Sequence, residues 1–182
     1  MSHPTESPAM SDRAADKAPA SAAVDAAYAA TQIVLKTSVP CPPARAFDYF
    51  TRDIGRWWPL ARYSCGRDEA KDVRFETRVG GGIVETTRDG TTHRWGTVTV
   101  WNPGEQVAFS WHPGRDDSAA QWVEVTFAAT TAGTLVNLTH GGFEKLGERA
   151  AKAKSEYESG WPAVFGRLYP AFCAHAVSED HP

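Results

Sequence analysis

The feature that most constrains the fold is an amphipathic segment near the C-terminal end, residues 155–177. Its large apolar side chains recur at intervals of three or four residues, which is the spacing of one face of an α-helix. They are Tyr157, Trp161, Val164, Phe165, Leu168, Tyr169 and Phe172, with Ala176 one turn further. A face this broad and aromatic must be buried against another layer. Because the preceding segments have strand-like patterns, we expect that layer to be a β-sheet.

A proline interrupts this helical pattern. Pro162 has no amide hydrogen and crowds the carbonyl group four residues before it. Two helices are compatible with it. Either the helix begins near Ser159, so that the proline falls in the tolerant first turn, or a longer helix begins near Glu148 and is kinked at the proline. We favour the longer helix, because residues 150–153 contain three alanines, which are strong helix formers.

The N-terminal half of the domain opens with a strand and two short helices. Residues 31–39 alternate between apolar and polar side chains, which predicts a strand with one buried face. Pro42 and Pro43 then stand where first-turn prolines belong, so they predict a short helix that ends near Phe50. A second helical turn is predicted over residues 52–58.

Six more strands are predicted after residue 70. Alternating apolar residues place them at residues 72–79, 83–88, 91–101, 106–112, 121–128 and 134–141. Asp89-Gly90 is a strong hairpin signal, Asn102 to Glu105 predicts a type II turn, and Gly80 to Gly82 predicts a bend or bulge. The predicted fold class is therefore α+β: a seven-stranded curved antiparallel sheet wrapped around a long C-terminal helix, with two short helices after the first strand.

Size and composition narrow the possibilities further. The 182 residues suffice for one domain, and the formal net charge of −3 gives no basic field for nucleic acid. No apolar run approaches the roughly 18 residues of a membrane span. Residues 1–30 are rich in Ala, Ser, Pro and Asp, so we expect a disordered tail before a folded domain over residues 31–178. We expect no secretory signal, because no apolar run follows the first residues, and the three cysteines lack any CxxC spacing. A cytoplasmic protein with reduced thiols is therefore expected.

Three polar residues are candidates for acid–base catalysis. His140 shares the inward face of the last strand, and imidazole suits proton transfer near neutral pH; a packed, hydrogen-bonded histidine is the alternative that we favour. Glu85 shares a face with Ile83, and a carboxylate in an apolar cavity is a candidate general acid or base. Tyr157 could donate a hydrogen bond to a bound carbonyl group. The sequence does not show that these side chains meet.

Metal and cofactor sites are not predicted. No histidine has a partner at metal-ligand spacing, and there is no cluster of cysteine and histidine residues. His93 and His112 fall at strand ends beside charged loops, so we expect both to be solvated.

The aromatic composition points to a second kind of site. The chain contains seven tryptophans, whose large flat faces either fill a core or line a cavity for a planar or hydrophobic ligand. We hypothesise that three aromatic residues of the sheet and helix line such a cavity, with a tryptophan of the second short helix at its mouth. The predicted ligand-binding residues are Trp57, Trp58, Trp111, His140, Tyr157, Trp161 and Phe165.

Several short motifs occur in an order that resembles a known superfamily. They are Val39-Pro40 to Pro43 with Phe47 and Phe50, Val79-Gly80-Gly81, Gly96-Thr97-Val98, Asn102-Pro103, Phe109-Ser110-Trp111, Gly133-Thr134, Leu138-Thr139-His140 and Gly160-Trp161-Pro162. In this order they resemble the helix-grip fold of the START, birch-pollen-allergen and polyketide-cyclase superfamily, SRPBCC. Within it, residues 31–176 are similar to the branch related to the C-terminal domain of the activator of the ninety-kilodalton heat-shock protein's ATPase.

This resemblance implies three alternative functions. Members enclose a cavity between the curved sheet and the long helix, and many of them bind apolar small molecules or lipids there. We therefore favour a binding protein for a small hydrophobic or aromatic molecule. The alternatives are a polyketide cyclase-like or hydrolase-like enzyme that uses Glu85 or His140, and a co-chaperone-like module whose partner is a chaperone protein.

Overall fold

The computed structural model describes residues 31–179, so the disordered tail expected over residues 1–30 lies outside the described residues. The strands are Ile33–Val39 (β1), Ala70–Phe75 (β2), Gly82–Thr87 (β3), Thr92–Asn102 (β4), Gln106–Trp111 (β5), Gln121–Thr130 (β6) and Gly133–Gly141 (β7). The α-helices are Pro43–Thr51 (α1), Ile54–Trp57 (α2), Ala150–Ala163 (α3) and Tyr169–Glu179 (α4), and a π-helical turn, Val164–Leu168, joins α3 to α4. Within residues 31–179, no helix is long and apolar enough to cross a membrane.

The seven strands form one antiparallel sheet in the order β1-β7-β6-β5-β4-β3-β2. Strands β2 to β7 follow one another as a meander, and β1 pairs with β7 along the other edge. The side chains predicted to face inward from β5, β6 and β7 are all buried: Val107, Phe109, Trp111, Val123, Val125, Phe127, Val136, Leu138 and His140. The predicted α+β class and the curved antiparallel sheet are therefore confirmed.

Irregularities in the ladder bend the sheet into a half-barrel. The register shifts once between β2 and β3, once between β3 and β4, and once between β4 and β5. An extra residue on one strand bends that strand and increases the local twist. Gly96 lies next to the extra residue between β3 and β4, and a Cβ atom there would collide with the backbone carbonyl oxygen of Ser110. The sheet can therefore curl around the C-terminal helix.

The C-terminal helix is the longer of the two predicted alternatives. It runs from Ala150 to Glu179, and Pro162 lies inside it rather than in its first turn. The π-helical turn follows directly after this proline. Aromatic residues recur here every four residues, and such a repeat drifts by about 40° per step on an ordinary helix of 3.6 residues per turn. A wider turn reduces that drift, so Trp161, Phe165 and Tyr169 all remain buried against the sheet.

The prediction for β2 is wrong at its C-terminal end. The strand was expected to reach Val79, but it ends at Phe75, and the Val79 side chain is 61% exposed. The chain turns earlier than the glycines suggest, because the amide of Arg78 donates to the carbonyl of Glu76. Gly80, with a φ of 79°, completes the reversal in a conformation that favours glycine.

One end of the helix–sheet interface is filled by aromatic rings, and we call it the packed end. Its members are Phe47, Phe50, Trp57, Phe127, Phe165 and Tyr169, all of them buried. Phe50 is central, with its ring 5.4 Å from that of Tyr169 and 6.4 Å from that of Phe165. The hydroxyl group of Tyr169 donates to the carbonyl of Ala46, which fixes α1 over this end.

Candidate functional site

The other end of the interface opens into a cleft of about 750 Å³. This volume falls in the range of roughly 300–1,000 Å³ that is typical of small-molecule pockets. Helix α3 forms one side of the cleft, and the loops that follow α2 and β5 form the others. Gly160 lies on the helical side, where a Cβ atom would sit 3.4 Å from the ring of Tyr63. The small residue therefore keeps this part of the cleft open.

Three tryptophans form an aromatic wall of the cleft. Trp58, Trp111 and Trp161 line it, and their ring centroids lie between 5.9 and 6.1 Å from one another. Each indole N–H donates a hydrogen bond. Trp58 donates to the backbone oxygen of Tyr63 at 2.7 Å, Trp161 to Nδ1 of His140 at 3.0 Å, and Trp111 to the hydroxyl of Tyr157 at 3.1 Å. These bonds fix the orientation of the rings.

The Tyr157 hydroxyl group is a hydrogen-bond donor at the edge of this wall. Its oxygen accepts hydrogen bonds from the indole of Trp111 and, at 3.3 Å, from Nη2 of Arg115. Indole and guanidinium groups only donate, so the phenolic hydrogen is left over, and no described residue accepts it. Burial raises the pKa of Tyr157 above its usual value, so the hydroxyl stays protonated at neutral pH.

Arg115 lies in the loop between β5 and β6, and its guanidinium group reaches the Tyr157 hydroxyl group. Its Nη2 also donates to the side-chain oxygen of Gln121 at 3.2 Å, while its Nε is buried without a hydrogen-bond partner. Among residues 31–179, no carboxylate forms an ion pair with it. A guanidinium group is thus held in the cleft by neutral oxygens alone.

The solvated position expected for His112 is wrong. Its side chain is only 6% exposed, because the chain reverses at Gly114 and folds the loop back over the ring. Nδ1 of His112 lies 3.0 Å from the carbonyl oxygen of Arg115, and the amide of Arg115 donates to the carbonyl of His112. The histidine therefore anchors the loop that carries the arginine.

His140 supports the tryptophan wall from behind and does not line the cleft. It is completely buried, with its ring 4.5 Å from that of Phe143 and 4.6 Å from that of Tyr157. Because Nδ1 accepts the hydrogen bond from Trp161, the neutral ring carries its hydrogen on Nε2, which is buried without a partner. Burial, together with the positive charge of Arg115, lowers the pKa of His140 to about 3, so the ring is neutral at physiological pH.

Glu85 is also completely buried and does not line the cleft. Its carboxylate accepts three hydrogen bonds, from the amides of Cys65 and Gly66 at 2.8 and 2.7 Å and from the indole of Trp95 at 2.7 Å. It thereby holds the loop that forms one side of the cleft. Burial and the charge of Glu85 raise the pKa of the Cys65 thiol to about 11, so the thiol remains protonated.

The structure divides the predicted site residues into two groups. Trp58, Trp111, Tyr157 and Trp161 line the cleft, whereas Trp57, Glu85, His140 and Phe165 do not. Phe165 instead stacks on Tyr169, with ring centroids 6.0 Å apart, and Trp57 donates to the carbonyl of Tyr49. Of the three candidate catalytic residues, His140 and Tyr157 are in ring contact, while Glu85 bonds to other partners.

Other lining residues were not predicted from the sequence. They include Arg62, Tyr63, Arg67 and Arg115. These residues lie in loops or short turns, where hydrophobic periodicity does not indicate which way a side chain points. Among residues 31–179, no group of three or more His, Cys, Asp or Glu side chains is placed to hold a metal ion.

The chain is similar to known proteins both in its sequence and in its fold. The family model described as "Activator of Hsp90 ATPase homolog 1-like protein" matches residues 40–172. A solved structure of a protein from Nitrosomonas europaea is similar, with 13% identity, 84% of this chain and 97% of that chain covered, and a TM-score of 0.58. A search of the curated proteins finds no significant match.

Two further solved structures are similar to the chain. An AHSA1-like protein from Aeromonas hydrophila has 16% identity, with 83% of this chain and 96% of that chain covered, and a TM-score of 0.56. An anthrahydroquino-gamma-pyrone synthase has 27% identity, with 66% of this chain and 82% of that chain covered, and a TM-score of 0.50.

Proposed function

We propose a function for this chain on the premise that it belongs to the family of Activator of Hsp90 ATPase homolog 1-like proteins. It binds a small hydrophobic or aromatic molecule in the cleft between its sheet and its C-terminal helix. The observation that carries the proposal is an open cleft of about 750 Å³, one wall of which is formed by three tryptophans with fixed orientations.

The tryptophan wall favours a planar ligand. Aromatic rings prefer offset-stacked or edge-to-face contacts, and each well-placed pair contributes about 0.5–1.5 kcal/mol beyond the burial of its area. Side chains that are already immobilised lose little conformational entropy when a ligand binds. The tryptophans are held by hydrogen bonds and by contacts with one another, so their orientation changes little when a ligand binds.

A chaperone-partner module has less support. An exposed protein-binding surface usually contains a contiguous apolar patch. Among residues 31–179, the large apolar side chains that are strongly exposed are Val34 and Val79. Val34 lies on β1 and Val79 follows β2, and these strands form opposite edges of the sheet. The two valines therefore do not form one patch.

An enzyme is the second candidate function, and two observations favour it. One similar structure is that of an anthrahydroquino-gamma-pyrone synthase, a name that refers to a fused aromatic compound. In addition, the phenolic hydrogen of Tyr157 is free to polarise a carbonyl group of a bound molecule. An enzyme would convert its ligand into a product with a different mass or a different chromatographic retention, whereas a binding protein would return it unchanged.

A titration with a neutral planar probe tests the proposal. We expect 2-naphthamide to quench the tryptophan fluorescence of the protein in a saturable manner. Gly160→Leu places a branched side chain in the cleft and should weaken binding by roughly tenfold or more, about 1.4 kcal/mol. Native mass spectrometry of protein purified from its own host would look for a co-purifying small molecule.

Gly166→Leu is the matched control for this titration. Gly166 lies on the same long helix, it is exposed, and a Cβ atom there would contact nothing within 4 Å. We expect this variant to bind 2-naphthamide within about twofold of the wild-type affinity. Absence of saturable binding to the wild type, or equal binding by the Gly160 variant, would contradict the proposal.

A further inference from the structure

We propose that the ligand carries a carboxylate or equivalent anionic oxygen group on its aromatic or hydrophobic frame, and that Arg115 and Tyr157 bind this group. The inference rests on the proposed function, because it assigns a chemical class to the molecule that occupies the same cleft.

The charged residues around the cleft have the opposite sign from the protein as a whole. Arg62, Arg67 and Arg115 line the cleft together with one acid, Glu156, so the formal charge of the lining is three minus one, or +2. The whole chain has a formal net charge of −3. A concave site lined by one sign of charge concentrates ligands of the other sign. The charge distribution therefore selects for an anion.

The three arginines are not neutralised by the protein. Among residues 31–179, none of them forms an ion pair with a carboxylate. The guanidinium of Arg62 instead lies 5.7 Å from the ring centre of Tyr63. Glu85 lies behind the cleft, where its carboxylate already accepts three N–H groups. The positive charge of the lining is therefore available to a ligand.

Arg115 is the best placed of these cations. It is partly buried, and both of its side-chain hydrogen bonds use Nη2 and reach neutral oxygens. A partly buried charge without a counter-ion is costly, and an anionic ligand would remove that cost. Hydrogen bonds from a guanidinium group to an ionised carboxylate are also roughly twice as strong as those between neutral groups.

Tyr157 supplies a second donor at the same point. Its oxygen lies 3.3 Å from Nη2 of Arg115, and its own hydrogen has no acceptor among the described residues. A ligand carboxylate can therefore accept the phenolic hydrogen of Tyr157 together with a hydrogen of Nη1 of Arg115, for which no hydrogen bond within residues 31–179 is described. The thiol of Cys65 is protonated at neutral pH, so it adds no competing negative charge. The anionic group is expected at this end of the cleft, with the aromatic frame against the tryptophans.

A pair of probes that differ in charge tests this inference. 2-Naphthoate and 2-naphthamide share one ring system and nearly one shape, but only the first is an anion. We expect the wild-type protein to bind 2-naphthoate at least about tenfold more tightly, since hydrogen bonds to a charged acceptor are stronger than those to a neutral amide. Arg115→Gln should weaken 2-naphthoate binding by roughly 10- to 100-fold and change 2-naphthamide binding by no more than about twofold.

Arg88→Gln is the control for a general loss of positive charge. Arg88 is exposed at the end of β3 and does not line the cleft, so this variant should bind both probes like the wild type. Thermal unfolding of each variant reports whether it is folded. If Arg115→Gln does not fold, the wild-type preference for 2-naphthoate and its reduction in Tyr157→Phe decide the question.

The outcomes separate this inference from the proposed function. If the wild type binds the two probes with equal affinity, or prefers 2-naphthamide, the anionic class is refuted while small-molecule binding stands. The inference also fails if Arg115→Gln retains the full preference for 2-naphthoate. If neither probe binds saturably, the proposed function and the inference fail together.

Discussion

The packed end and the cleft end of the molecule use the same helix and the same sheet with different results. At the packed end, the rings of Phe50, Phe165 and Tyr169 are in mutual contact and α1 covers them. At the cleft end, Trp161 and Tyr157 have the same helical spacing, but only loops cover them. The rings at both ends are largely buried, but the end under α1 is filled, whereas the end under the loops leaves a cleft beside Trp161 and Tyr157.

The two ends also differ in how their polar atoms are bonded. At the packed end, Trp57 and Tyr169 donate to backbone carbonyls, which are fixed parts of the scaffold. At the cleft end, Trp111 and Trp161 donate to side chains, and those side chains have incompletely satisfied groups of their own. Nε of Arg115 and Nε2 of His140 are both buried there without partners. Natural proteins concentrate such local defects at functional sites.

The largest expected effect is loss of stability at the packed end. Phe165→Ala leaves a cavity in a completely buried ring cluster and should lower the free energy of unfolding by about 3–5 kcal/mol, as measured by urea denaturation. The conservative control Phe165→Leu should cost less than about 1.5 kcal/mol. Binding of 2-naphthamide should persist in the folded fraction. A loss below about 1 kcal/mol for Phe165→Ala would show that this end is not tightly packed.

Periodicity predicts the layers of this fold because it reports which face of an element is buried. The inward sets of β5, β6 and β7 follow from simple alternation, since strand side chains point to opposite faces in turn. The same reasoning places Trp161 and Phe165 on the inner face of the C-terminal helix. Periodicity does not predict that Trp161 lines the cleft and Phe165 does not, because the spacing along one helix does not reveal which other element covers each turn.

The cleft was only partly predictable for the same reason. Trp58, Trp111, Tyr157 and Trp161 belong to regular elements or to their ends, where a pattern exists. Arg115 lies in the polar loop between two strands, and its direction depends on the reversal at Gly114. Pro113-Gly114 is a local turn signal, but it does not specify where the side chain that follows it points. Loop conformation is set by contacts with distant residues, such as the bond between Arg115 and Tyr157.

The second expected effect is a pH dependence that originates at the cleft end. The folded-state pKa of His140 is about 3, below the ordinary value of 6.5, so the unfolded chain binds a proton that the folded protein excludes. Stability is therefore fully present above pH 6.5 and is lost as the pH falls towards 3. We expect this group to lower the free energy of unfolding by about 2 kcal/mol between pH 7.5 and 5.

His140→Gln is the matched variant for this pH dependence. Glutamine does not titrate, and its side-chain oxygen can still accept the hydrogen bond from Trp161. Urea denaturation at several pH values should give a nearly flat profile for this variant between pH 7.5 and 5. Equal slopes for the variant and the wild type would mean that another group causes the loss. The acids with lowered pKa values, Glu76, Asp89 and Asp116, titrate below this window.

The smallest expected effect on stability comes from Tyr157→Phe, although this residue is an aromatic on the same long helix as Phe165. The change removes one oxygen, which accepts hydrogen bonds from Trp111 and Arg115, and should cost about 1 kcal/mol in urea denaturation. Tyr63→Phe is the control, because Tyr63 also lines the cleft and no hydrogen bond of its hydroxyl group is described; it should cost less than about 0.5 kcal/mol.

Tyr157→Phe should have the larger effect on binding of 2-naphthoate, whereas Phe165→Ala has the larger effect on stability. Tyr157→Phe removes a donor to the anionic group and should weaken 2-naphthoate by roughly five- to tenfold, whereas Tyr63→Phe should leave it within about twofold. Phe165→Ala, by contrast, should cost stability and spare binding. If Tyr157→Phe destabilises the fold as much as Phe165→Ala does, the distinction between a packed end and a cleft end is wrong, because the cleft residues would then be core residues.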